Sequence, residues 1–378
     1  MKTPFSLFDL LIIIGITQGI VTSVLLLISK KNSRSNKFLA FALIAFSFLC
    51  TKMLLLTLQL WETPTFRYFP NGVELVIAPL IYFYVVSLIN SKFRFKWKNM
   101  LHFIPFILSQ SYSFFVYFSV IYIPELEQKD VIANLLWFNE IKKIEDYLSL
   151  ISIVTYLVLS YKILKDYRKW LNNTTSDSSF PDFNWLKSIF ILSTILGFFL
   201  LINLTLSAIS HSNNFLLWQV YFIFIASLIY YLGFTGYKQP HYQLEKIDKT
   251  LSNSRIIKLS KEKNLEIIIA LKKALEKDKV FLNPIINIQQ LSKSLEVSES
   301  NLSYVINTSF DKNFRNLINK YRIEEVKSKL IDKNFSHLSI LGIALECGFN
   351  SEASFYRIFK KHTGLSPKEF IQQTKNIK

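Results

Sequence analysis

Cysteine is almost missing from this chain. There are two in 378 residues, Cys50 in an apolar run and Cys347 in the polar C-terminal part. That placement excludes a disulfide framework, and five scattered histidines with no Cys-His grouping leave a zinc site without ligands. A phosphate loop, a Gly-x-Ser-x-Gly elbow and a paired-carboxylate site are also lacking, so nothing calls for covalent chemistry. The expectation is a non-enzyme that needs no cofactor and no metal. Acidic residues are scarce as well: 27 Asp and Glu face 44 Lys and Arg, a net charge of +17. The excess is uneven. Residues 1–236 carry 19 basic against 12 acidic side chains, and the shorter 237–378 carries 25 against 15. A basic polar segment suggests an anionic partner, nucleic acid or a lipid surface, although a plain solvated surface has the same composition.

Apolar residues are plentiful, 51% of the chain with 34 Phe. Runs long enough to cross a bilayer, about 20 residues each, occur near 5–28, 38–60, 72–90, 100–121, 147–164, 186–209 and 215–236. The first has no small-residue cleavage pattern and six more follow, so it reads as a span and not as a signal peptide. Lys30, Lys31, Arg34 and Lys37 fill the first loop, Lys92, Arg94, Lys96 and Lys98 the third, Lys165, Arg168 and Lys169 the fifth. The intervening loops lack a positive excess, including the segment 211–214. The positive-inside rule then predicts the N-terminus outside and the C-terminus in the cytoplasm.

Three charges fall in or beside the early spans: Asp9, Lys52 and Glu74. They are candidates for one outward-facing signal pocket, with snorkelling to the interface as the plainer reading. Gly15 and Gly19 form a G-x-x-x-G pair, suited to internal packing or to a dimer seam. Pro79 and Pro105 are expected to kink their helices. His102 shows no partner, and a structural role is expected for it.

After Gly236 the chain turns polar, with Pro240 and a Ser/Asn cluster marking a connector. Leu265, Ile268, Ile269, Leu271 and Leu275 follow near helical spacing. That amphipathic helix is expected to dock on the domain behind it or to pair with a second copy, in preference to lying on a membrane.

From Asn287 the pattern is short helix, tight turn, short helix, and it occurs twice. Ile288, Leu291 and Leu295 are matched 52 residues later by Ile340, Ile343 and Cys347. Leu302 and Ile306 are matched 53 residues later by Phe355 and Phe359, so the second turn is one residue longer. Ser298 and Ser351 are N-cap residues for the second helix of each pair. Opposite the apolar side lie Ser300, Ser303, Tyr304 and Asn307 in the first pair, and Glu352, Ala353, Tyr356, Arg357 and Lys360 in the second. Between the pairs, Phe314 to Leu330 reads as one helix of about 25 Å, a spacing that lets two helices enter successive major grooves about 34 Å apart. Arg357 suits guanine, Asn307 adenine, and Ser298, Ser351, Lys312, Lys360 and Lys361 suit phosphates.

Residues 265–372, through NLSYVIN, NKYRIEEVKSKL and ILGIALECGFNSEASFYRIFKKHTGLSPKEF, resemble the DNA-binding domain of the AraC/XylS family of bacterial transcription regulators. The resemblance implies two helix-turn-helix units and base contacts from the positions named above. It covers under a third of the chain, and the organisation looks like that of membrane-anchored members. The first recognition helix departs from the pattern by showing no Arg or Lys on its exposed face.

The expectation is therefore all-α: a seven-span transmembrane helical domain (1–236), a cytoplasmic linker (237–264), and a DNA-binding domain (265–378) with two helix-turn-helix units joined by a linker helix. The expected function is a one-component regulator in the bacterial cytoplasmic membrane, a multi-pass protein. Its expected partners are double-stranded promoter DNA, membrane lipid, a second copy as homodimer, and an unknown small-molecule or membrane signal. The rival is a membrane transporter or enzyme with a regulatory tail, and a third reading makes the tail a protein-interaction module.

Overall fold

The structure, a computed structural model, describes residues 5–30, 33–90, 93–177, 180–181, 183–210, 215–239 and 259–376. Lys31, Lys92, the loop 211–214 and most of the connector, 240–258, lie outside them. Among the described residues the chain is all-α, with one isolated bridge between Thr175 and Asn287 in place of any strand. It divides into two compact units: Met1–Leu164 with Phe183–Lys246, and Lys165–Asp182 with Ile247–Lys378. The segment 165–182, assigned from sequence to the membrane part, thus belongs with the C-terminal helices.

In the first unit α1 (Leu7–Ile28), α2 (Ser33–Thr57) and α3 (Glu74–Ile89) are followed by a 3-10 stretch running into α4 (Ile104–Val120). Then come α5 (Leu126–Leu135), α6 (Phe138–Thr174), α7 (Trp185–Ser210) and α8 (Phe215–Tyr237). Helices occupy all seven expected runs, but six of them are long and apolar enough to cross a membrane. The seventh, α3, has 16 residues among the described residues, about 24 Å at 1.5 Å per residue against about 30 Å of hydrocarbon, so the count of seven is not confirmed. Pro105 also departs from expectation. It sits in the first turn of α4, where a missing N–H costs nothing, so it starts a helix and does not kink one.

Both glycines of the G-x-x-x-G pair serve packing inside the unit. A Cβ on Gly15 would lie 2.6 Å from the Cβ of Ala226 on α8, and one on Gly19 would collide with Ser47 on α2. Outward, Leu10, Ile14, Val21, Phe114, Phe118, Val154 and Val158 leave large apolar side chains exposed. His102 has a partner after all, Tyr156, whose hydroxyl lies 2.8 Å from Nδ1.

The second unit contains α9 (Lys261–Glu276), α10 (Ile288–Ser294), α11 (Glu299–Ser309), α12 (Phe314–Ile331), α13 (Ile340–Glu346), α14 (Glu352–Thr363) and α15 (Pro367–Asn376). Its interior is two cores sharing α12. Ile267, Leu271 and Leu275 of α9 join Leu291, Leu302, Ile306 and the start of α12 in one. Ile323 and Val326 join Ile343, Cys347, Phe355 and Phe359 in the other. The amphipathic helix α9 therefore docks. Its inward face is Ile267, Leu271, Ala274 and Leu275, while Leu265 (58% exposed) and Ile269 (61%) point away. The positions i, i+4, i+7 and i+8 fix that stripe, and the sequence reading had placed it partly off-register.

Candidate nucleic-acid interface and a cavity in the apolar unit

Each helix pair is built the same way. In the first, α10 opens on a capping box between Asn287 and Gln290, and Glu296 makes the turn in the left-handed region at φ 55°. Ser298 then caps α11, its Oγ accepting from the Asn301 amide at 3.2 Å. In the second, Ser339 caps α13 through the Gly342 amide at 3.0 Å, Gly348 turns at φ 89°, and Ser351 caps α14 through the Ser354 amide at 3.3 Å. Both capping serines leave the Oγ lone pair partly engaged and the helix N-terminus positive, an arrangement suited to a phosphate.

The expected reading faces are on the outside. Ser300, Tyr304 and Asn307 on α11 are exposed and Ser303 is half-buried, with Asn307 donating to Ser303 Oγ at 3.3 Å. On α14, Glu352, Ala353, Arg357, Lys360 and Lys361 are exposed. Tyr356 is half-buried and packs its ring on Phe355, so part of it belongs to the core. Lys360, Lys361 and His362 close α14, where cations meet the negative end of the helix.

Sequence reasoning missed the residue that ties the two pairs together. Arg322 of α12 is fully buried. Its Nε donates to the Phe281 carbonyl at 2.7 Å and its Nη2 to the Asn283 carbonyl at 2.7 Å. The same guanidinium reaches Ser176, at 3.1 Å to Oγ and 3.3 Å to the carbonyl. All these acceptors are neutral. Burial pushes the guanidinium down to about 10, opposed by the charge of Asp177 and helped by Arg315, so it stays charged at neutral pH.

Ser176 is itself fixed. Its amide and Oγ both donate to the Ile286 carbonyl, at 3.2 and 2.8 Å. Next to it, Arg315 donates to the Asp177 carbonyl at 3.1 Å and Asn350 to the Asp177 carboxylate. The end of α6 thus clasps both pairs, Arg315 beside the first and Asn350 in the second turn. Beside the clasp, Lys169, Asn172 and Asn173 share a shallow groove with Asn307, Lys312, Asn313 and Asn316. One signal was available in sequence: Arg322 lies four residues from both Ile318 and Val326, on the apolar stripe of α12, where a solvated Arg would not be.

Of the three charges named for a pocket, two stand together. Lys52 Nζ lies 2.8 Å from Glu74 Oε1, and both line a cavity of about 1050 Å³ in the first unit. Asp9 does not join them. Its carboxylate accepts from the Ser6 amide at 2.9 Å and the Ser6 hydroxyl at 2.7 Å, making it the return half of a capping box. Asp146 and Ser149, one turn apart on α6, take part instead.

Residues 291–373 match the helix-turn-helix domain family. An uncharacterised HTH-type transcriptional regulator of Staphylococcus aureus (strain MSSA476) is 36% identical over 85 residues, 22% of this chain and 11% of the relative. A second, from Pseudoalteromonas carrageenovora, is 36% identical over 85 residues, 22% of this chain and 48% of the relative. The chain thus spans about a tenth of the one and about half of the other. No solved structure matches. With two capped helix-turn-helix pairs on one shared helix, the C-terminal part of this chain is an AraC-type helix-turn-helix domain, the kind of domain carried by DNA-binding transcription regulators.

Proposed function

We propose that the chain is a membrane-bound one-component transcription regulator: its apolar helices span a bacterial cytoplasmic membrane and sense a signal, and its C-terminal domain reads promoter DNA. No covalent chemistry is part of this proposal. The observation that carries it is the pairing of α11 and α14, each capped by a serine and each presenting a polar face, on opposite ends of the shared helix α12.

Exposed apolar side chains along α1, α4 and α6 support the membrane placement, because a soluble protein rarely exposes so much contiguous apolar surface. Orientation has its own support. The segment with Lys165, Arg168 and Lys169, helical as the last turns of α6 and expected inside from its charge, belongs to the same compact unit as the helix-turn-helix pairs. The clasp supplies a route for the signal. Helix α6 continues from Leu164 into Lys165 without a break, and Ser176 and Asp177, just past its end, hold Arg315, Arg322 and Asn350. A displacement of α6 changes what those three groups hold, and a signal acts by favouring one arrangement.

The test is DNA binding by the full chain in lipid nanodiscs, on its own upstream region and a scrambled control. Preferential binding to the native DNA is expected. Arg357→Ala should cost about 1–3 kcal/mol and narrow the preference. Removing both Lys360 and Lys361 should lower the slope of log affinity against log salt by about 2. Equal affinity for both DNAs in the wild type would refute the promoter reading.

A further inference from the structure

The cavity in the first unit has an uneven wall. It is lined by hydrocarbon and aromatic groups, among them Met53, Ile77, Ile153, Leu200, Trp218 and Phe222. It also holds charges whose pairing leaves a remainder. Lys52 is matched by Glu74 at 2.8 Å. Lys142 is matched by Glu145 at 2.6 Å and also donates to Ser113 Oγ at 2.8 Å. Lys143 and Glu140 line the cavity as one charge of each sign, neither of them in an ion pair among the described residues. Asp146 lines it too, and among the described residues it is in none of the ion pairs.

Two further polar atoms of the lining make no hydrogen bond. Ser149 is 3% exposed, and its Oγ, in the cavity wall, makes no hydrogen bond; neither does Glu74 Oε2, also buried. Burying such groups without a partner is costly, and in a cavity of this size the partner is supplied from outside the chain. Of the three groups, two are carboxylates and the third, Ser149, is a hydroxyl that can accept as well as donate; around Asp146 the carboxylates of Glu74, Glu145 and Asp146 itself outnumber the ammonium groups of Lys52 and Lys142 by one. An anionic head would meet repulsion from Asp146. A neutral tail alone would leave three carboxylates, Glu74, Glu145 and Asp146, sharing the two ammonium groups of Lys52 and Lys142 in apolar surroundings. An ammonium supplies three N–H donors and one positive charge.

We infer that this cavity binds an amphipathic primary amine: the ammonium at Asp146, Ser149 and Glu74 Oε2, and the hydrophobic tail along the apolar wall. Its role as the signal rests on the regulator reading given above. Its binding does not, so the test uses no DNA, and a failure here leaves promoter binding to be judged separately.

The experiment uses the full chain in phosphatidylcholine nanodiscs, with decylamine, decyltrimethylammonium, decanol and decyl sulfate as probes. Binding is read from tryptophan fluorescence, with Trp218→Phe to identify the cavity signal, and from the thermal unfolding midpoint. Decylamine should saturate at a concentration at least tenfold below decanol. Decyltrimethylammonium, with no N–H donors, should bind more weakly than decylamine, and decyl sulfate should give no saturable change. Asp146→Asn should weaken decylamine at least tenfold and leave decanol unchanged. Trp218→Phe should lose the optical change yet keep the thermal shift. Equal response to decylamine and decanol, or a saturable response to decyl sulfate, would overturn the inference from the wild type alone, whether or not Asp146→Asn folds. An Asp146→Asn variant that folds and binds decylamine unchanged would overturn it as well.

Discussion

The two helix pairs of the C-terminal domain have the same plan and different chemistry. The first turns at Glu296, an L-residue held at φ 55°, and the second at Gly348, at φ 89°. The first presents Ser300, Tyr304 and Asn307, all uncharged; the second presents Arg357, Lys360 and Lys361. A solvent-facing turn tolerates the moderate strain of a left-handed glutamate. The second turn has no such latitude, because it lies against the Arg322 network. The difference teaches that the second pair is the tighter joint and carries the basic face, while the first turn is the more adaptable.

The comparison can be broken most sharply at the second turn. In Gly348→Ala a Cβ would lie 2.5 Å from the Phe281 carbonyl oxygen and 2.9 Å from Arg322 Nε. The expected cost is about 3–5 kcal/mol of domain stability, from the strained φ and the backbone collision together. A thermal midpoint within a degree of wild type would show that the turn is not the tight joint described. Arg322→Met is next, at about 3 kcal/mol, because several buried carbonyls lose a charged donor together. Proteolysis of the full chain should then begin in the C-terminal domain.

The opposite sign is expected at the first turn. Glu296→Gly relieves a left-handed L-residue but adds unfolded-state entropy, for a net gain of about 0.5 kcal/mol by denaturant titration. A loss there would mean that the glutamate side chain, and not its backbone, matters. The smallest effect is at His362, at the end of α14. Burial, then the charges of Lys361 and Lys312, hold its pKa below the usual histidine range. A folded pKa below the unfolded one gives stability that is present above the ordinary histidine value and lost as pH falls through the folded one. Between pH 7.5 and 5.0 the wild-type midpoint should therefore fall slightly more than that of His362→Gln, with no difference at the upper end.

Much of this was legible in the sequence because it is local. The capping serines 298 and 351, the 52- and 53-residue repeat and the exposed faces of α11 and α14 depend on spacing along one helix, which periodicity reports directly. The register of α9 was less secure. Leu265 and Ile269 are as apolar as Ile267 and Leu271, and only the surface that receives the helix selects between overlapping stripes. The same limit applies to Asp9. Its charge is as visible as those of Lys52 and Glu74, but a serine three residues earlier was enough to turn it into a cap.

The sequence by itself determined the helical class, the apolar runs, the doubled helix-turn-helix pattern and the residues that face outward from it. Each follows from residue periodicity and from the chemistry of caps and turns, both short-range along the chain. Only the structure decided that α3 is limited to 16 residues, that Asp146 and Ser149 line one cavity with Lys52 and Glu74, and that Ser176 and Asp177 reach Arg322 and Asn350. Those contacts join positions as much as 173 residues apart. Their energy comes from desolvated charges and carbonyls that find one another only after both pairs have packed on α12, and no local pattern carries that information.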